Sequence, residues 1–183
     1  VSTAVFIFVQ AIMLGFTRDL EQKIVGFGAH YTMELGQDVQ PSAVLESLNQ
    51  NKIWQYVAPY RETQGILQSV LDEQSGEGVQ IRALDPLQLG KWQELNVSFA
   101  QGGNFNDLTK LHANLPGVLV GQELANNLAL MPEMGEEIDL IFPFGDITPA
   151  GEYMPLAKRF RIIVTFTTGY YQNDAKYVII SLN

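Results

Sequence analysis

The side chains that most often carry acid–base or nucleophilic chemistry are sparse in this chain. Its 183 residues include two histidines, His30 and His112, and no cysteine. Without cysteine there is no thiolate catalysis, no cysteine zinc site and no CxxC redox chemistry. The two histidines stand far apart, without ligand-like or triad-like spacing, and read as structural. Asp72, Glu73 and Glu77 form an acidic run that could imitate a cation site. The run lacks the alternating oxygen ligands and fixed glycine of a calcium loop, so it reads as a solvated turn. Gly117 and Gly121 bracket Val118-Leu119-Val120 ahead of a helical stretch, but a third glycine and a Gly-Lys-Ser/Thr are missing, which excludes a phosphate cradle. A membrane-tethered hydrolase would need a base beside a nucleophile, and no such pair is visible. No catalytic, cofactor-binding or metal-binding residue is assigned, and the chain reads as a non-enzyme.

Contact chemistry is better represented. In 143–158, Pro149 and Pro155 remove backbone donors and fix local dihedrals, which favours an extended, stiff loop. A stiff loop loses less entropy on binding, and Phe144, Ile147, Tyr153 and Met154 would supply apolar contact area. The alternative is a solvent hairpin with those side chains folded back on the sheet. Trp54, Tyr56, Tyr60, Phe99, Phe105, Tyr170 and Tyr171 could line a groove for acyl chains, although aromatics more often fill cores.

Composition narrows the partners. Eleven basic against twenty acidic residues give a formal charge of -9, which disfavours nucleic acid. The charged fraction is 17%, below the roughly 25% usual for soluble domains.

The elements that would position these groups begin with an apolar stretch. Residues 1–14 have only Ser2, Thr3 and Gln10 as polar side chains, and no charge precedes Arg18. A full membrane span takes about 20 apolar residues, so the expectation is the end of a membrane helix that starts upstream. A signal peptide would show a basic start and a small-residue cleavage site, and a core helix is the other alternative. Phe16, Leu20, Ile24 and Phe27 continue one apolar face towards a glycine stop at Gly26-Phe27-Gly28. Beyond it, the pattern predicts a strand over 30–35, a helix over 41–50 and a strand over 64–71, together a strand-helix-strand unit. A polar turn over 72–78 should lead into an antiparallel strand over 79–84. Signals weaken over 85–114, where short helices are expected at 86–92 and 108–112. Strands follow at 117–121, 138–142, 159–167 and 177–182, with a helix over 122–130 that turns Leu124, Ala125 and Leu128 inward.

Several of these segments carry a resemblance. Leu115-Pro116-Gly117-Val118-Leu119-Val120-Gly121-Gln122-Glu123-Leu124-Ala125, then Gly135-Glu136-Glu137-Ile138-Asp139-Leu140-Ile141, resembles the run found in LolC/LolE-type permeases of lipoprotein-releasing ABC transporters. Thr148-Pro149-Ala150-Gly151 with Pro155, Lys158 and Phe160 resembles the protruding hairpin of the LolC-like subunit. The segments 168–174 and 177–182, and the exit from the apolar helix through Gly15, Phe16, Leu20 and 26–30, are similar to the same family. The middle, 74–114, shows little of it, and Leu130 to Met134 is longer than the family's tight turn.

The resemblance implies an α+β fold: a membrane helix (1–27), the first half of a porter-like strand-helix-strand subdomain (28–71), and a β-rich, largely antiparallel subdomain (72–183) of the macrolide-exporter/lipoprotein-release type. It implies a fragment, continuing into further membrane helices. The implied setting is the bacterial inner membrane, with the bulk of the chain periplasmic. The implied partners are a separate cytoplasmic ATPase subunit, a second permease subunit in a homo- or heterodimer, a lipoprotein substrate and a periplasmic lipoprotein carrier. The implied carrier-binding hook comprises Pro143, Phe144, Ile147, Thr148, Pro149, Gly151, Tyr153, Met154, Pro155 and Lys158. The alternative is a related permease of macrolide export or antimicrobial-peptide resistance, which would carry a short, tight turn in place of the hook.

Overall fold

The computed structural model describes residues 2–27, 31–36, 39–51, 53–54, 56–72, 75–85, 88, 97–147 and 151–182. Helix α1 (Ser2–Phe27) carries the apolar stretch. Its Thr3–Leu20 segment has a mean hydropathy of 1.4 and none of it is buried. It is long and apolar enough to cross a membrane, and it is not the core helix of the alternative reading. Helix α2 (Pro41–Gln50) opens with proline in its first turn, where the missing N–H is harmless. The strand expected over 30–35 does not form: 31–36 is irregular and exposed, and His30 lies outside the described residues.

The strands are β1 (Tyr60–Ser69), β2 (Gly76–Leu84), β3 (Ser98–Phe99), β4 (Leu111–His112), β5 (Leu115–Gly121), β6 (Glu137–Ile147), β7 (Tyr153–Thr167) and β8 (Tyr177–Ser181), with short helices α3 (Gln122–Asn127) and α4 (Tyr171–Asp174). Around the sheet they run β7-β6-β1-β2-β8-β5, and β5 pairs back onto β7. That closure makes a six-stranded barrel, and among the described residues the two-residue β3 and β4 are the edges. Two pairings, β2 with β8 and β5 with β7, are parallel, and the others in the barrel are antiparallel. β1 pairs antiparallel with β2 across the turn, as expected, and also with β6; because 31–36 forms no strand, β1 is a stave of the barrel and does not close a strand-helix-strand unit.

Period-two alternation sorts the side chains onto the two sides of the wall. Val118, Val120, Val178 and Ile180 join Leu67, Ile81, Ile138, Leu140 and Ile162 in the interior cluster, while their neighbours Leu119 and Ile179 join a second cluster with Phe27, Leu84, Phe105 and Phe166 on the other face. β7 changes sides partway. Ile163 is an extra residue opposite the Val118/Leu119 step, so Phe160 and Ile162 face the interior and Val164 and Phe166 the second cluster.

The helix expected over 108–112 is a 3-10 turn (Phe105–Thr109) followed by β4. The Asn104 side chain accepts from the Asn106 N–H and the Asp107 carboxylate accepts from the Asn104 N–H, a capping arrangement that suits a single tight turn. Ala113 and Asn114, at φ 55° and 66°, then fold β4 onto β5 as a two-residue hairpin. The spacing of Leu108 and Leu111 imitated a helical face. Of the 86–92 expectation only Gln88 is described. Gly117 and Gly121 are needed for close approach: a Cβ would come within 2.0 Å of the Ile163 side chain at the first and 2.1 Å of the Asp174 carbonyl oxygen at the second. They serve packing, not phosphate.

Candidate partner-binding site

β6 and β7 continue far past the barrel. Their burial alternates from Glu137 to Phe142, then every residue of 143–147 and 151–159 is exposed. A two-stranded finger therefore stands clear of the sheet, with Phe144 52%, Ile147 74%, Tyr153 55% and Met154 61% exposed. Pro143, Gly151, Pro155 and Lys158 are exposed on the same finger; Thr148 and Pro149 lie outside the described residues.

The finger's stiffness has a different origin from the one expected from proline alone. The strands pair almost to the tip, with Gly145 opposite Pro155, Asp146 opposite Met154 and Ile147 opposite Tyr153. Residues opposite one another share a face, so Ile147, Tyr153 and Pro155 lie on one side and Met154 and Leu156 on the other. A bulge interrupts the ladder at Pro143 and Phe144. The Tyr153 hydroxyl donates to the Pro143 carbonyl at 2.7 Å across this gap. The Phe144 ring leans on the buried Phe142 ring, 5.2 Å between centroids. Gly145 has no room for a side chain, since a Cβ would lie 2.0 Å from the Met154 carbonyl oxygen.

At the root of the finger, the Arg159 guanidinium donates from two nitrogens to both oxygens of Asp139, each at 2.9 Å, between directly opposite residues. These hydrogen bonds hold the Asp139 carboxyl below the usual carboxylate range. The Lys158 ammonium sits 5.6 Å from the centre of the Phe160 ring. The arrangement offers apolar and aromatic area on a rigid ribbon and no group placed for bond chemistry.

Two polar clusters were not foreseen. Glu136 is buried, with its carboxylate accepting from the Ser69 hydroxyl at 2.5 Å and the Met131 N–H at 2.6 Å, which fixes the 131–135 turn against the end of β1. Arg82 is buried in β2 beside the end of α1. Its guanidinium donates to the Phe27 carbonyl at 3.0 Å and twice to one Glu62 oxygen at 3.1 and 3.0 Å. The Phe27, Tyr60 and Tyr177 rings lie 4.6, 5.2 and 4.8 Å from it. Burial, reinforced by the Glu62 carboxylate, pushes the Tyr177 hydroxyl up, so it remains a donor to Glu62 at 3.1 Å. A cation inside Ile81-Arg82-Ala83 was the available signal, but its partners are remote in sequence.

The residues considered for other chemistry are dispersed. His112 sits in β4 with its Nε2 3.3 Å from the Asp107 carbonyl. Among the described residues no group of three or more His, Asp or Glu could hold a metal ion. The aromatics divide: Phe105 is core and stacks edge-on with Phe99 at 4.9 Å, whereas Trp54, Tyr56 and Tyr171 are exposed.

These features define a class: a closed barrel joined to one membrane-length apolar helix and bearing an exposed apolar finger. In sequence, the chain is similar to curated LolC proteins, the transmembrane components of lipoprotein-releasing systems. It is 29% identical over 177 residues to the lipoprotein-releasing system transmembrane protein LolC of Neisseria meningitidis serogroup B, across 92% of this chain and 39% of that protein. It is 25% identical over 177 residues to the LolC of Xylella fastidiosa strain Temecula1, across 94% and 40%. The chain thus spans about 40% of the length of the curated relatives it matches. No family model matches it.

Proposed function

We propose that this chain is the periplasmic portion, with the end of one membrane helix, of an inner-membrane ABC-transporter permease that releases lipoproteins and passes them to a periplasmic carrier. ATP hydrolysis belongs to a separate cytoplasmic subunit, and the permease pairs with itself or with a sister subunit. The role of this chain is mechanical and contact-making. The finger over 143–158 is the carrier-binding surface, with Phe144, Ile147, Tyr153 and Met154 as the apolar contacts and Pro143, Thr148, Pro149, Gly151, Pro155 and Lys158 completing the set.

The observation that carries this reading is the pairing of exposure with rigidity. Large apolar side chains on a solvent-facing ribbon are costly to leave bare, and an exposed patch of this kind marks a contact surface. The ladder and the Tyr153 tie restrict the ribbon beforehand, which reduces the ordering cost of binding. The length of the finger also disfavours a macrolide-exporter or peptide-resistance permease, for which a short turn is expected.

The test is calorimetric titration of the solubilised permease with the periplasmic carrier, wild type against Ile147→Ser/Met154→Ser. Binding by wild type and at least tenfold weaker binding by the double variant are expected. Equal affinity in the two proteins would remove the finger from the interface.

A further inference from the structure

The end of the apolar helix is not tethered to the barrel by chain connectivity alone. Phe27, the last residue of α1, is 2% exposed. Its ring stacks on Phe166 of β7 at 5.8 Å and meets Tyr177 of β8 edge-on at 4.9 Å. Its carbonyl, one of the terminal acceptors that a helix cannot satisfy internally, receives the Arg82 guanidinium. Arg82 is itself gripped by Glu62 of β1 and boxed by the Tyr60 and Tyr177 rings. One side chain therefore links the helix end to β1, β2 and β8, and a cation at the negative end of a helix dipole is favourably placed.

The geometry points to the Phe27–Arg82 contact as a rigid joint that transmits displacement of the membrane helix into the barrel and so to the finger. This rests on the reading of the chain as a transport permease. The joint is suited to the task for a physical reason. A planar fork with donors spent on both a helix carbonyl and a carboxylate resists rotation, while two aromatic stacks resist translation. A flexible linker at the same place would absorb a push from the helix instead of passing it on. Arg82 is a positioning residue here, since it acts through Phe27 and Glu62 and touches no substrate.

The test uses the full-length permease in lipid nanodiscs with spin labels at Thr17→Cys in α1 and Glu77→Cys in β2, this chain having no cysteine of its own. Wild type should give one narrow distance distribution. Arg82→Gln should at least double its width while the barrel's melting temperature holds, and Arg82→Lys, which keeps charge but not the fork, should fall between. An unchanged width in Arg82→Gln overturns the joint. Should that variant not fold, Glu62→Gln loosens the same guanidinium from the outside, and an unchanged width there overturns the joint equally. In proteoliposomes with the ATPase subunit, Arg82→Gln should keep ATP hydrolysis but release about tenfold less lipoprotein per ATP. Equal release per ATP would show that the joint transmits nothing, whereas a wild-type permease that releases no lipoprotein would contradict the functional reading and leave the joint to be judged on the distances.

Discussion

The hydroxyl of Tyr153 closes the gap that the bulge at Pro143 opens in the finger's ladder, donating 2.7 Å to the Pro143 carbonyl. A carbonyl left facing solvent would let the two strands twist independently above the barrel. Tyr153→Phe keeps the ring and removes the tie. A net hydrogen bond contributes about 0.5–1.5 kcal/mol, so carrier affinity should weaken roughly two- to tenfold. Amide exchange at 144–147 should quicken by a similar factor while barrel amides keep their protection, which hydrogen-exchange mass spectrometry would resolve.

Gly145→Val tests the register. The added side chain meets the Met154 backbone, which cannot swing aside as a flexible side chain could. The cost should be about 1–3 kcal/mol, confined to the finger. Far-UV circular dichroism should change little, and tip amides should lose protection.

The buried cluster around Glu136 should matter for global stability instead. Glu136→Ala strands the Ser69 hydroxyl and the Met131 N–H, at a cost of about 1–3 kcal/mol for unsatisfied buried groups. Urea unfolding should show a lower midpoint with an unchanged slope.

The Asp139–Arg159 pair predicts a direction with pH. The folded carboxyl lies below its ordinary range because Arg159 holds it. Its contribution is therefore fully present above the unfolded value of about 4 and is lost as pH falls through the lower folded value. Arg159 is exposed and Asp139 half-buried, so after solvent screening the effect is a few tenths of a kcal/mol, at most about 1. Asp139→Asn should flatten the acid limb of stability between about pH 5 and 2, and should be nearly silent in high salt, measured by thermal melts.

What could be read in the amino-acid order is what local physics decides. The apolar run of α1, the proline-opened α2, and the β-branched strands around Val118, Ile162 and Val178 follow from composition and period. Two kinds of feature were hidden. Closure of the barrel depends on β5 meeting β7 beside a bulge at Ile163, a non-local pairing that leaves no periodic trace and reverses the facing of half of β7. The polar clusters depend on partners far along the chain, as Arg82 with Phe27 and Ser69 with Glu136 show. The prolines of the finger were visible, but the ladder and the Tyr153 tie that stiffen it were not. The expected strand over 30–35 did not form at 31–36 because a strand needs a paired neighbour, and among the described residues none pairs with that segment.

The central claim is that the finger touches a lipoprotein carrier, and a photo-crosslinking amino acid tests it most directly. Placed at Ile147 in the permease within living cells, it should trap a covalent adduct with the periplasmic carrier, while the same probe at Glu77 on the barrel should trap none. Adducts from Glu77 and none from Ile147 would contradict the account.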